Sequence, residues 1–178
     1  MINTPSRVGR RDFLKGFAVA SAAACIPSLI PGSALGLDGT VSPSEKINLG
    51  AIGIGARGQE DFGHFLERAD IRFRAICDIR RIRRDWVSQT ANQKYNDTDC
   101  ATYRDMHELL MRDDIDAVLI ATGDRWHTMA SITAAKYGKD VYCEKPLSLT
   151  IQESRALADA VTRYGVVYQA GTQRRNIG

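Results

Sequence analysis

Gly53-Ile54-Gly55-Ala56-Arg57-Gly58 follows the largely apolar run Ile47 to Ile52 and leads into an amphipathic stretch. That order reads as strand, tight turn, helix. Asp78 closes the next apolar run, Ile71-Arg72-Phe73-Arg74-Ala75-Ile76-Cys77, 20 positions beyond the third glycine. A lone GxGxxG carries little weight, but an acidic residue at that spacing makes the pattern a dinucleotide-binding one. Gly53 permits the sharp turn, Gly55 lets the backbone approach a pyrophosphate with no Cβ in the way, and Gly58 lets helix and strand pack closely. The first-turn N–H groups of the helix, from Ile54 through Ala56, Arg57 and Gly58, have no internal partners and lie at the positive end of the helix dipole, where a pyrophosphate can accept from them. Asp78 would accept from the adenosine ribose hydroxyls. A carboxylate there repels a 2′-phosphate, which argues for NAD over NADP, although Arg80, Arg81, Arg83 and Arg84 stand close enough in sequence to neutralise one. Those arginines read more simply as a solvated helix face.

With 178 residues, 44% hydrophobic and 25% charged, the chain suits one soluble globular domain with a real core. Residues 1–36 are set apart from that domain. Arg10-Arg11-Asp12-Phe13-Leu14-Lys15 precedes a small-residue apolar segment from Gly16 to Ile30, and Ala34-Leu35-Gly36 offers a small-residue cleavage region. This pattern predicts a twin-arginine export signal over 1–36, a linker over 37–45 and a dinucleotide-binding domain over 46–178, with a periplasmic or other extracytoplasmic destination. Pro27 and Pro31 and the alanine-rich composition argue against a stable membrane span. Twin-arginine export moves folded proteins, so a cofactor bound in the cytoplasm can travel with the protein. Residues 1–36 hold four of the 24 basic residues and one of the 21 acidic ones, which leaves 20 of each. A neutral mature chain has no electrostatic motive to bind nucleic acid.

Beyond the linker, apolar runs alternate with helical stretches, the pattern of a doubly wound α/β fold with a parallel sheet. Strands are expected at Ile47–Ile52, Ile71–Cys77, Ala101–Tyr103, Ala117–Ala121, Val141–Cys143 and Val166–Ala170. Helices are expected at Arg57–Glu67, Arg81–Lys94, Asp105–Met111, Thr128–Tyr137 and Ile151–Tyr164. Thr150 with Glu153 is a capping-box signature, and Gly138 and Gly165 fall where helices should stop. Cys77, Cys100 and Cys143 have no CxxC spacing and read as small core residues. His64, His107 and His127 are scattered, the glycine turn lacks a GK[ST] ending, and Asp113-Asp114 reads as a solvated turn, so no metal site, Walker loop or carboxylate pair is expected.

Val141-Tyr142-Cys143-Glu144-Lys145-Pro146-Leu147-Ser148 is a second signature. Combined with the glycine turn, Asp78, the Ala121-Thr122 strand end, Trp126-His127 and Ala134-Ala135-Lys136-Tyr137-Gly138-Lys139, it makes the chain resemble the N-terminal NAD(P)-binding domain of the Gfo/Idh/MocA oxidoreductases, in particular their exported branch. The resemblance covers Ile47 to about Arg175. It implies that Glu144, Lys145 and Pro146 end a strand beside the nicotinamide, with Lys145 reaching a substrate hydroxyl or carbonyl and Pro146 fixing the turn, through a cis bond in one reading. Ala121, Thr122, Trp126 and His127 would line the cofactor site, and His127 is a second catalytic candidate or a packing residue. An ammonium at the reacting oxygen stabilises the charge that develops in hydride transfer. Gly123 departs from the family pattern, where a proline is usual, and so does Arg125.

The resemblance also implies a second, substrate-binding domain, absent from this sequence, which would supply an acid-base residue and an oligomer interface. The implied activity is hydride transfer between NAD and a sugar or polyol. Two other functions fit the same residues: a redox-neutral glycosidase that uses NAD transiently, and a dinucleotide-binding module without turnover.

Overall fold

The structure, a computed structural model, describes residues 32–37 and 41–175. Arg10-Arg11 and the apolar segment of the expected export signal lie outside the described residues. The domain is a six-stranded parallel sheet in the order β3-β2-β1-β4-β5-β6, the doubly wound arrangement the alternation predicts. Its strands are β1 (Ile47–Ile54), β2 (Ile71–Cys77), β3 (Ala101–Tyr103), β4 (Ala117–Ala121), β5 (Asp140–Glu144) and β6 (Tyr168–Gly171). The connecting helices are α1 (Ala56–Leu66), α2 (Arg81–Tyr95), α3 (Met106–Leu110), α4 (His127–Lys136) and α5 (Ile151–Tyr164).

Alternation along the strands divides the core into two layers. Leu49 and Ala51 of β1, Phe73 of β2 and Leu119 of β4 face α1 and α2, where Phe62, Leu66, Val87 and Ala91 meet them. Ile52, Ala75, Val118, Ile120 and Val141 point to the opposite layer, against Leu109, Leu110, Ala130 and Ala134. Phe62 and Phe73, both fully buried, lie with ring centroids 4.7 Å apart. Each contributes about 1.5–3 kcal/mol through burial, which fixes α1 over the centre of the sheet.

The remaining boundaries move by one or two residues from expectation, for local reasons. β1 runs two residues further, into the glycine turn, because Ile54 pairs with Ala121 across a register shift. β5 gains Asp140 and Glu144, the latter paired with Gly171 of a β6 that starts later. Thr150 Oγ1 accepts from the Glu153 N–H at 3.1 Å while Glu153 Oε2 accepts from the Thr150 N–H at 3.1 Å, so the capping box starts α5 as the sequence predicts. Gly165 ends that helix in the left-handed region (φ 67°). The parallel order sets the C-terminal ends of β1, β4 and β5 side by side, and that edge carries the site.

Candidate dinucleotide-binding site

The turn after β1 is shaped by two contacts that exclude side chains. A Cβ on Gly53 (φ +75°) would stand 2.5 Å from Thr122 Cγ2 and 2.8 Å from Thr122 Cα, so backbone conformation and space both require glycine there. A Cβ on Gly58 would lie 2.8 Å from Ala121 Cβ, the close helix-strand approach expected of the third glycine. Gly55 differs from both: its added Cβ would meet nothing within 4 Å. The position faces open space and also begins α1, where no side chain caps the helix. An uncapped helix N-terminus behind an open glycine fits a pyrophosphate, which would accept from the first-turn N–H groups and fill the space a Cβ would take.

Asp78 follows β2 and is 5% exposed. Its Oδ2 accepts from the Ile54 N–H at 2.9 Å and its Oδ1 from the Arg80 N–H at 2.8 Å. The carboxylate therefore ties the end of β2 to the glycine turn, and each oxygen keeps a lone pair for a ribose hydroxyl. Ile54 is committed: its N–H serves Asp78 and its side chain is core. The arginines after Asp78 are more engaged than a solvated face suggests. Arg84 Nη1 donates to the Asp78 carbonyl at 2.6 Å and Arg83 Nη1 lies 3.6 Å from its carboxylate, while Arg80 and Arg81 are exposed.

Beyond β4, Gly123 opens a short 3-10 turn, Asp124–Trp126, that leads into α4. Trp126 is half exposed, and His127 is 1% exposed. His127 Nδ1 lies 2.6 Å from the Pro146 carbonyl and its Nε2 3.2 Å from the Thr122 carbonyl. Both partners can only accept, so an imidazole with one N–H donates to one carbonyl and packs against the other, bridging the ends of β4 and β5 with no ring nitrogen turned to solvent. These are the contacts of the packing role, one of the two the sequence offers. Thr128 Oγ1 adds a second tie, donating to the Leu147 carbonyl at 2.9 Å. The Lys145–Pro146 peptide is cis, and both residues are exposed at the strand end, where Lys145 is open to an incoming molecule.

Glu144 turns away from that opening. It is 3% exposed, its Oε2 accepts from the Lys145 N–H at 3.3 Å, and its Oε1 accepts from the Gln173 side-chain amide and lies 3.6 Å from Arg57 Nε. Burial, then the neighbouring Asp61, push its carboxyl above the ordinary glutamate value. Asp61 and Gln173 had no place in the sequence reading, because an acidic residue on an amphipathic helix reads as solvated and the contact spans more than 80 positions. Among the described residues no three His, Cys, Asp or Glu side chains converge on a metal geometry, and no helix is long and apolar enough to cross a membrane.

Comparison with known proteins agrees with this geometry. The family model for Gfo/Idh/MocA oxidoreductases, described as an oxidoreductase family with an NAD-binding Rossmann fold, matches residues 47–172. An alpha-N-acetylgalactosaminidase of Shewanella oneidensis is 30% identical over 171 residues, covering 88% of this chain and 37% of the relative. The chain thus spans well under half the length of that relative. The crystal structure of a "probable dehydrogenase" from Thermotoga maritima superposes with a TM-score of 0.63 at 29% identity, over 72% of this chain and 37% of that one. The scyllo-inositol dehydrogenase of Lactobacillus casei, crystallised with NAD(H) and scyllo-inositol, shares the fold at a TM-score of 0.67 and 22% identity, over 74% of this chain and 38% of that one. The glycine turn, Asp78 and the strand end at Lys145 thus lie within an NAD-binding Rossmann domain, and the chain belongs to the Gfo/Idh/MocA oxidoreductase family.

Proposed function

We propose that this chain is the cofactor-binding part of an exported NAD-dependent oxidoreductase that acts on a sugar or polyol. The observation that carries the reading is the placement of an exposed Lys145 at the end of β5, beside the end of β4 and the open, uncapped turn at Gly55. Bound NAD would supply hydride acceptance and donation. The chain's own residues would hold the pyrophosphate at the start of α1, fix the ribose through Asp78, and set the Lys145 ammonium against the reacting oxygen. Thr122 and Trp126 would border the nicotinamide. The paired arginines Arg10-Arg11 support export with the cofactor bound, and a second domain beyond this chain would hold the substrate and the oligomer interface.

A redox-neutral glycosidase is the second reading, favoured by the 30% identity to the Shewanella N-acetylgalactosaminidase. The test is a titration with NADH, followed by incubation with NAD and a panel of polyols, sugars and an aryl α-N-acetylgalactosaminide. NADH appearing with a polyol or free sugar supports the oxidoreductase. Aryl release without net NADH supports the glycosidase, binding without turnover leaves a cofactor module, and no binding at all overturns the proposal.

A further inference from the structure

The turn that would receive the pyrophosphate and the strand end bearing Lys145 are joined by an ionic cluster whose guanidinium is half-buried and two of whose carboxyl groups are buried. Arg57, the second residue of α1, places Nη2 2.6 Å from Asp61 Oδ1 and Nε 3.6 Å from Glu144 Oε1, and its Nη1 pairs with the exposed Glu60. Asp61 and Glu144 are each 3% exposed. Asp61 Oδ2 accepts from no donor and Arg57 Nε donates to no acceptor at hydrogen-bond distance, although the Glu144 carboxyl lies beside Asp61. Gly171 is fitted to the cluster, since a Cβ there would lie 2.6 Å from Glu144 Oε1.

Resting on the cofactor reading above, we propose that Asp61 and Glu144, bridged by Arg57, are positioning residues that lock the dinucleotide turn to the Lys145 strand end and make cofactor affinity respond to the protonation of Glu144. One guanidinium faces two buried carboxyl groups. With both ionised, two like charges stand in a site shielded from water, and the orphaned Asp61 Oδ2 has no donor. With Glu144 protonated, its hydroxyl satisfies that oxygen and the cluster balances one cation against one anion. The groups facing the pair are Arg57, Glu60 and His64 from α1, Tyr142 from β5, the Lys145 N–H just after it, and Gln173 after β6; Arg57 and the Lys145 N–H favour ionisation of Glu144, and the direction of its titration is nonetheless upward, from burial first and Asp61 second.

Arg57 sits in the first turn of α1 and Asp61 one turn further along. Loss of the Glu144 proton therefore adds negative charge about 10 Å from the pyrophosphate position, which at an effective dielectric of about 20 weakens binding on the order of tenfold. The test is NADH titration of the full chain by fluorescence from about pH 5 to about pH 8.5, a window spanning the ordinary glutamate value and the range above it. The wild-type protein should bind on the order of tenfold more weakly at the upper end. Glu144→Gln, locked in the uncharged form, should bind without that step, and Asp61→Asn should move it to lower pH. A shared profile for all three proteins, or a flat one for the wild type, overturns the lock, and so does a variant that only melts lower with its profile unchanged.

A second measurement needs no variant. Calorimetry of NADH binding in buffers of different ionisation enthalpy should show net proton uptake in the pH range of the step, and zero exchange defeats the proposal. Absence of NADH binding at every pH defeats the cofactor reading beneath it, whereas binding with no pH dependence defeats the lock alone.

Discussion

Gly55→Ala separates folding from cofactor binding more cleanly than any other change in the turn. Gly55 has φ −79° and ψ −168°, extended backbone that alanine adopts freely, and its new Cβ would touch nothing within 4 Å. Restricting the unfolded chain stabilises by about 0.4–1 kcal/mol. Alanine is a poorer residue than glycine at the start of a helix, at a cost of a similar size, about 0.5–1 kcal/mol. The two nearly cancel, so the midpoint of thermal unfolding should move by no more than about 2–3 °C. Binding has no such cancellation. The methyl group occupies the space through which the pyrophosphate reaches the first-turn N–H groups, and losing one or two charge-assisted hydrogen bonds at about 1.5–3 kcal/mol each weakens NADH on the order of a hundredfold. Gly53→Ala is the control with the opposite balance: its Cβ meets Thr122 at 2.5 Å from a positive φ, which should cost about 2–5 kcal/mol of stability. Differential scanning fluorimetry and NADH fluorescence titration on both variants complete the comparison. If Gly55→Ala binds NADH within about threefold of wild type, the pyrophosphate does not pass over Gly55 and the placement of the site is wrong.

Three further predictions follow from other parts of the molecule. Burial raises the thiols of Cys77 and Cys100 to about 12, so neither should react with a thiol reagent at neutral pH until the protein is unfolded, as counted by mass spectrometry. Glu144 has a folded value above its unfolded one, so the stability it contributes is complete below the ordinary glutamate value and is lost as pH rises through the raised one; chemical denaturation of wild type against Glu144→Gln should show the wild type falling relative to the variant across that interval. Thr150→Ala removes the acceptor for the Glu153 N–H and one half of the capping box, which should lower the unfolding free energy by about 1 kcal/mol in urea melts while leaving NADH affinity unchanged.

Much of the fold was open to sequence because its determinants are local. The runs at Ile71–Cys77, Ala101–Tyr103 and Ala117–Ala121 are bounded by turn residues, and the capping pair Thr150 and Glu153 acts within four positions. The spacing from Gly53 to Asp78 was readable for the same reason, since strand, turn, helix and strand succeed one another directly. The ionic cluster was not. Arg57 and Asp61 pair along a helix as many exposed residues do, and only the approach of Glu144 and Gln173 from the other half of the sheet sets a second buried carboxyl group against that pair. His127 carried an ambiguity that periodicity could not resolve, because its role depends on two carbonyls, one of them at Pro146, brought together by tertiary packing.

The close packing of Gly53 on Thr122 and of Gly58 on Ala121 also bears on how a cofactor would be captured. These contacts hold the turn against the two central strands with no room to shift, so its conformational freedom is lost when the protein folds and not when a ligand arrives. Encounter then requires no loop to order itself, and the association rate should be governed by diffusion and orientation. Discrimination among nucleotides falls to the rate at which each one leaves.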